Sequence, residues 1–268
     1  GGMGAIHEIV HETSGVSFAL KTILPGIGEG VGEELERFRR EAEALGRLNH
    51  PHVVCVHAAN LEGPVPYLIQ DLLPGGTLQA RIDRGPFLVL DALELIRQLG
   101  EGLDHAHQRG VLHRDLKPLN VLFDDRDQAR LVAFGLARFA GGSSLTRTGQ
   151  LLGTPAYMAP EQAMGGAVDE RSDVYGLGGI LFAVLTGRPP FEGSGLGILA
   201  AVVQDPPPVA SSLNPAVPRW LDQVLACALA KDPDQRYPSV RALLEAIETE
   251  QAPPQRASWR GPLLAFLA

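Results

Sequence analysis

The segment from His113 to Asn120 reads His-Arg-Asp-Leu-Lys-Pro-Leu-Asn and holds three side chains with complementary chemistry. Asp115 carries a carboxylate, Lys117 a cation and Asn120 an amide oxygen. Transfer of a phosphoryl group from ATP to a hydroxyl needs a carboxylate that accepts the hydroxyl proton, a cation beside the moving group, and oxygen ligands for magnesium. The pattern therefore predicts catalytic roles for these three residues, with Asn120 also a metal ligand. The alternative is a polar loop with a solvated Asp-Lys pair.

A second string, Gly-Thr-Pro-Ala-Tyr-Met-Ala-Pro-Glu, lies downstream at residues 153–161. With these two strings the sequence resembles the eukaryotic-like protein kinase family, from Gly1 to about Thr249. Lys117, two residues after Asp115, resembles the serine/threonine branch of that family. The resemblance implies a bilobal fold, ATP and Mg²⁺ or Mn²⁺ as cofactors, and transfer of the γ-phosphate to protein serine and threonine hydroxyls.

The resemblance also implies how the nucleotide is held. The four residues at the start, Gly-Gly-Met-Gly, look like the latter part of a glycine-rich loop, in which backbone N–H groups approach the phosphates closely. The resemblance further implies that Ala19 covers the adenine and that Lys21, on a strand, binds phosphate and pairs with Glu41 on a helix. Backbone groups around Asp71 and Leu73 are implied to bind the adenine. The implied residues are Gly1, Gly2, Met3, Gly4, Ala19, Lys21, Glu41, Asp71 and Leu73.

Three further matches to the family concern architecture. Thr154 is expected beside the catalytic Asp115, and Glu161 is expected to pair with Arg236 of Asp-Gln-Arg-Tyr. Asp173, in Ser-Asp-Val-Tyr-Gly, is expected to hold the catalytic loop from a buried helix. These roles are structural, or regulatory for Thr154, rather than catalytic.

Arg114, beside the catalytic aspartate, suggests activation by phosphorylation, because a phosphate on the preceding loop would supply the charge that a basic site can pair. Thr146 and Thr148 are placed as the regulatory threonine pair of bacterial members, and Ser143 and Ser144 are weaker candidates. An ordinary polar loop is the alternative.

One position departs from the family. Its Asp-Phe-Gly motif lies eighteen residues after the catalytic aspartate, where this chain reads Ala133-Phe134-Gly135. A methyl group offers no oxygen ligand to a hard cation, so Asn120 alone must hold metal. Two interpretations follow. The chain is a serine/threonine kinase with weakened activity, or it is a pseudokinase that binds nucleotide or partners without phosphotransfer.

The elements that must position these residues can be predicted from periodicity. Alternating and apolar runs predict strands over 16–23, 53–58 and 65–73, and three- and four-residue spacing predicts helices over 33–48, 91–111, 173–185, 218–229 and 239–249. Strands come first and helices later, which predicts an α+β fold of two lobes. The predicted N-lobe is 1–74, with its first strand and the start of its glycine-rich loop upstream of residue 1, and the C-lobe is 75–249. Residues 250–268 are expected to form a linker, ending either in an unstructured remnant or at the beginning of a membrane span.

The amino-acid composition indicates which kinds of partner and which cellular compartment to expect. The 268 residues are 45% hydrophobic with a net charge of −8, which favours a globular chain and disfavours nucleic acid as a partner. Two cysteines are too few for a disulfide framework and suit a cytoplasmic compartment for the kinase portion. The expected partners are protein substrates and, for autophosphorylation, a second kinase domain; a membrane is expected only if the tail continues into a span.

Overall fold

The computed structural model describes residues 5–22, 36, 39, 42–62, 65–134 and 155–251. The N-terminal part contains an antiparallel sheet with the order β1-β2-β4-β3. Its strands are β1 Ala5–Val10, β2 Ser17–Thr22, β3 Val56–Asn60 and β4 Tyr67–Asp71. Successive side chains of a strand point to opposite faces, so Ala19 and Lys21 share one face of β2.

The predicted strand over 53–58 is wrong in its first half. Val54 donates its N–H to Leu131 O at 3.0 Å, and Val53 forms an isolated parallel bridge with the same residue. These residues therefore attach to the second lobe, and pairing with β4 begins only at Val56. The apolar run could not show this change of partner, because both partners are buried and apolar.

The predicted helix over 33–48 is helical at the described residues 36, 39 and 42–46. Its Leu45 is buried in the main core, while Ala42 packs against Leu68 of the sheet. The helix thus joins the sheet to the core of the second lobe.

The C-terminal part is mainly helical. Its helices are α1 Leu78–Ile82, α2 Val89–His107, α3 Pro160–Ala163, α4 Glu170–Thr186, α5 Gly195–Gln204, α6 Ala210–Leu213, α7 Arg219–Ala228 and α8 Val240–Glu248. A small antiparallel hairpin of β5 Val121–Phe123 and β6 Ala129–Leu131 lies beside them. The sheet-rich lobe followed by a helical lobe confirms the predicted α+β class. The boundary predicted at residue 74 falls in the connection between β4 and α1.

All four helices predicted for this lobe are present, with shifted ends. Helix α4 begins three residues before the predicted start, because the side chain of Asp169 caps it by accepting the N–H of Arg171. Helix α2 ends at His107, four residues early, and the chain then turns through Gly110 at φ +72°. The short helices α1, α3 and α6 and the glycine-containing α5 were not predicted, since they offer too little periodicity.

Helix α4 is the centre of the helical lobe. Every residue from Ser172 to Leu185 is buried, as expected of a helix that is packed on all sides. Gly176 allows close contact with the loop of residues 113–120, which the family resemblance identifies as the catalytic loop, since a Cβ at position 176 would lie 2.7 Å from Leu116 Cβ. The loop therefore rests directly on the backbone of α4.

Within the part of the chain that the structure describes, every helix is too short or too polar to cross a membrane.

The contact at Gly176 can be tested by adding one methyl group. Gly176→Ala gains about 1 kcal/mol of helix propensity but should lose roughly 1–3 kcal/mol from overpacking against Leu116, so we expect net destabilisation or little change in the free energy of unfolding by urea. Gly197→Ala is the matched control in helix α5, because a Cβ there meets nothing within 4 Å. It should stabilise by up to about 1 kcal/mol. A gain at Gly176 equal to the gain at Gly197 would contradict the close contact.

Candidate active site

The structure brings Asp115, Lys117 and Asn120 together in the loop after α2. Lys117 Nζ donates to Asp115 Oδ2 at 2.6 Å, and Asn120 Nδ2 donates to the same oxygen at 2.9 Å and to Asp115 O at 2.7 Å. Pro118 opens a 3₁₀ turn over Pro118–Asn120, where its fixed φ favours the turn that carries Asn120 back to Asp115. The Asp115 and Lys117 side chains are 33% and 16% exposed, so a second molecule can reach them.

His113 connects this loop to the segment that contains Ala133. Its Nε2 donates to Val132 O at 3.0 Å, because a carbonyl can only accept, and its Nδ1 accepts the N–H of Asp115 at 3.3 Å. Burial lowers the pKa of His113, which keeps the ring neutral and preserves Nδ1 as an acceptor. The ring thereby fixes both Asp115 and the chain before Ala133.

Asp173 of α4 holds the loop from below. Its carboxylate accepts the N–H groups of His113 and Arg114, each at 2.8 Å, and a bond from His107 Nε2 at 2.7 Å. Burial alone would raise the pKa of Asp173, but the His107 bond and the backbone donors hold that pKa below its ordinary value. Asp173 is therefore a buried, ionised carboxylate at neutral pH. The backbone of Arg114, whose N–H it accepts, has φ +67°.

Ala133 lies beside this loop. Val132 donates its N–H to Asn120 O at 3.0 Å, and the buried Phe134 ring lies 4.6 Å from the His113 ring between centroids. The motif segment is thus packed against the catalytic loop although residue 133 is alanine.

The donor set for a divalent cation is incomplete. The NH₂ group of Asn120 is used by Asp115, which leaves its amide oxygen as the atom that can face a cation, while Ala133 offers no oxygen. Among the described residues there is no group of three or more His, Cys, Asp or Glu side chains suited to a metal. The residues present therefore fit a metal only in part.

One candidate nucleotide-binding residue was missed by sequence reasoning. The register of β1 and β2 pairs Ile6 with Lys21 and Glu8 with Ala19, so Ile6 shares the face of Ala19 and Lys21. Residue Ile6 is 67% exposed. The glycine-rich pattern G-x-G-x-x-G-x-V places an apolar residue two positions after its last glycine, and that signal could have identified Ile6.

The end of β4 is fixed by polar contacts. The Asp71 side chain accepts the Cys55 N–H at 3.0 Å and lies 2.8 Å from His57 Nε2 and 3.5 Å from Arg130 Nη1. The Asp71 N–H donates to Cys55 O at 3.1 Å, so this N–H is used within the protein. Leu73 follows β4 and is half-buried against the core of the helical lobe.

Glu161 and Arg236 form a buried ion pair. Arg236 Nη1 and Nη2 each donate to one oxygen of Glu161 at 2.7 Å, and Ser172 Oγ donates to the same carboxylate at 2.5 Å. Burial would raise the pKa of Glu161, but the bonds from Arg236 and Ser172 outweigh it and hold the pKa below its ordinary value. The pair joins α3 to the segment before α8.

The remaining predicted residues lie outside the described part of the chain. They are Gly1, Gly2, Met3, Gly4, Glu41, Gly135, Ser143, Ser144, Thr146, Thr148 and Thr154.

Breaking the buried pair should be costly. Glu161→Ala leaves the buried Arg236 charge without a carboxylate, with only backbone carbonyls as acceptors. We therefore expect a loss of roughly 3–5 kcal/mol in the free energy of unfolding at pH 7. The double variant Glu161→Ala, Arg236→Met should be less destabilised than the single one. Because the folded-state pKa of Glu161 is lowered, its contribution is complete above the unfolded value of about 4.3 and fades as pH falls below it.

Glu101→Ala is the control, since Glu101 pairs with Arg97 on the partly exposed surface of α2. That change should cost less than about 1 kcal/mol. Equal losses for the Glu101 and Glu161 variants would contradict the importance of the buried pair.

Comparison with known proteins is consistent with this geometry. The family model described as "Protein kinase domain" matches residues 1–246. The chain is 41% identical over 226 residues to the serine/threonine-protein kinase PknL of Mycobacterium tuberculosis, which covers 82% of this chain and 57% of the relative. It is 37% identical over 266 residues to Pkn1 of Myxococcus xanthus, covering 97% and 38%, and 36% identical over 219 residues to PrkC of Bacillus subtilis, covering 81% and 34%.

The chain therefore spans between about a third and just over half of the length of these relatives. A model match over nearly the whole chain and relatives named serine/threonine kinases agree with the lobes and the loop described above. The chain belongs to the protein kinase family, in its eukaryotic-like serine/threonine branch of the bacterial type.

Proposed function

We propose that this chain is a serine/threonine protein kinase domain that transfers the γ-phosphate of ATP to serine and threonine hydroxyls of proteins, with turnover reduced by Ala133. The observation that carries the proposal is the assembled trio of Asp115, Lys117 and Asn120, in which one carboxylate oxygen meets both partners within 2.9 Å.

Each member of the trio has a role that its contacts support. Asp115 orients the substrate hydroxyl and accepts its proton, and its partial exposure leaves the carboxylate within reach of a peptide. Lys117 supplies positive charge next to the transferred group, where negative charge must be stabilised. Asn120 fixes the Asp115 side chain and backbone, which keeps the carboxylate oriented before substrate arrives.

The residues of the sheet fit ATP. Ile6 and Ala19 offer small and apolar surface to the adenine, and Lys21 on the same face offers a cation to the phosphates. Gly1, Gly2, Met3 and Gly4 are assigned to the phosphate-covering loop, Glu41 to Lys21, and backbone groups at Asp71 and Leu73 to adenine; these assignments follow the family pattern.

Magnesium or manganese would supply Lewis-acid neutralisation of the phosphates, but this chain retains only Asn120 of the two usual ligand positions. The loss of one stabilising interaction of this kind lowers turnover by roughly 10²- to 10³-fold, which we take as the minimum effect of Ala133.

The second candidate is a pseudokinase that binds nucleotide or partners without transferring phosphate. The specific observation in its favour is the missing oxygen ligand at Ala133. The retention of Asp115, Lys117, Asn120 and the Glu161–Arg236 pair favours the kinase.

We also propose how the domain is regulated, what it binds and in which compartment it lies. Thr146 and Thr148 are assigned as activating phosphorylation sites and Thr154 as a threonine that faces the catalytic loop. Protein substrates are the partners, and a second kinase domain is the partner for autophosphorylation. The two free cysteines are compatible with a cytoplasmic kinase portion.

The backbone at residue 133 gives a prediction that needs no activity. Ala133 has φ +64°, a left-handed conformation that costs a residue with a Cβ roughly 1–2 kcal/mol. Ala133→Gly removes this cost but adds about 0.4–1 kcal/mol of unfolded-chain entropy, so we expect urea unfolding to show a gain of up to about 1.5 kcal/mol. Ala200→Gly, at an exposed position of helix α5, should instead lose about 1 kcal/mol. A similar loss at both positions would contradict the strained backbone.

The proposed function is tested by phosphotransfer from radiolabelled ATP to a serine- and threonine-rich protein. Ala133→Asp should raise turnover by at least about 10²-fold over the unmodified chain, with Mg²⁺ or Mn²⁺ present. Adding Asp115→Asn to that variant, which keeps the shape of the side chain, should abolish most of the gain through loss of the proton acceptor.

If neither the unmodified chain nor the Ala133→Asp variant transfers phosphate, the kinase proposal fails. A nucleotide-dependent rise in the melting temperature would then favour the pseudokinase.

A further inference from the structure

Gln162 uses both ends of its side-chain amide, although the family motifs that identified the site assign it no role. Its Nε2 donates to Arg114 O at 2.8 Å, and its Oε1 accepts the N–H of Ala159 at 3.1 Å. The partners fix the orientation of the amide, because a carbonyl can only accept and a backbone N–H can only donate. One side chain of α3 therefore bridges the catalytic loop and the segment that enters α3.

The carbonyl that Gln162 binds belongs to the peptide unit that leads into Asp115. Arg114 is held at φ +67°, a conformation that a residue with a Cβ adopts only under constraint. Asp173 holds the Arg114 N–H on one side, and Gln162 holds the Arg114 carbonyl on the other. Without the Gln162 bond, the 114–115 peptide loses one hydrogen bond at its carbonyl oxygen.

We propose that Gln162 is a positioning residue that sets the orientation of Asp115 through the Arg114 carbonyl. This inference rests on the proposed function, in which Asp115 accepts the proton of the substrate hydroxyl. Through Gln162, the orientation of the Asp115 carboxylate depends on the position of the segment before α3. The family resemblance places that segment against the protein substrate.

Two substitutions separate this role from simple capping of α3. Gln162→Glu keeps an oxygen for the Ala159 N–H but replaces the donor to Arg114 O by a second acceptor. Gln162→Met keeps the length of the side chain and removes both bonds. Gln204→Glu makes the same charge change at an exposed position at the end of α5 and serves as the control.

The kinetic test is made in the full chain carrying Ala133→Asp. Gln162→Glu should lower kcat by about 10- to 100-fold, the scale of effect produced by small misplacements of a catalytic group, while the KM for ATP stays unchanged. The melting temperature should change no more than in the Gln204→Glu control. An unchanged kcat, or a fall in kcat matched by loss of stability, overturns the proposal.

Hydrogen exchange gives a second readout that does not need activity. In the chain without Ala133→Asp, amides of residues 113–117 should exchange faster in both Gln162 variants than in the Gln204→Glu control. Faster exchange confined to the start of α3 would mean that Gln162 only caps that helix, which also overturns the proposal. If the Ala133→Asp protein itself transfers no phosphate, the proposed function fails, and the exchange of residues 113–117 alone decides whether Gln162 positions the loop.

Discussion

The buried carboxylate of Asp173 is the contact on which the site depends. It lies within the fully packed helix α4 and accepts two consecutive backbone N–H groups of the catalytic loop together with a bond from His107. A buried charge is costly unless it is fully hydrogen-bonded, and here the donors come from the segment that must be positioned. The folding of α4 therefore determines the path of the loop at Arg114 and, one residue later, the direction of Asp115.

Ser172, the residue before Asp173 in α4, binds a second segment of the lobe. Ser172 donates to Glu161, which is bound by both terminal nitrogens of Arg236, so α4 holds helix α3 as well as the catalytic loop. Gln162 then closes the connection between these two segments through the Arg114 carbonyl. Asp115 is thus oriented both by its own bonds to Lys117 and Asn120 and by contacts made through its neighbours in sequence. Val132 and Phe134 contact this loop although residue 133 is alanine.

The sequence predicted contacts best at motif positions where the residue type has few possible structural or chemical roles. Strong periodicity predicted the long helices. Short motifs predicted that Asp173 holds the loop containing Asp115, Lys117 and Asn120 and that Glu161 pairs with Arg236, and the structure shows these contacts. The catalytic roles of the three loop residues stay predictions. The split of the run over 53–58 between two partners could not be predicted, because apolar residues satisfy either neighbour equally well. Gln162 was missed because its importance depends on backbone geometry, which no local pattern encodes. Ile6 was missed although the glycine-rich pattern places an apolar residue at its position.

We propose that the frame of a kinase site is intact in this chain and that residue 133 lacks the oxygen ligand that the family places there. The most direct measurement is the affinity for ATP by calorimetry, in chelator and in Mg²⁺, for the unmodified chain and for the Ala133→Asp variant. We expect similar affinities in chelator, because the nucleotide-binding residues are shared. We expect the gain in affinity on adding Mg²⁺ to be much larger in the variant. An equal gain from Mg²⁺ in both proteins would contradict it.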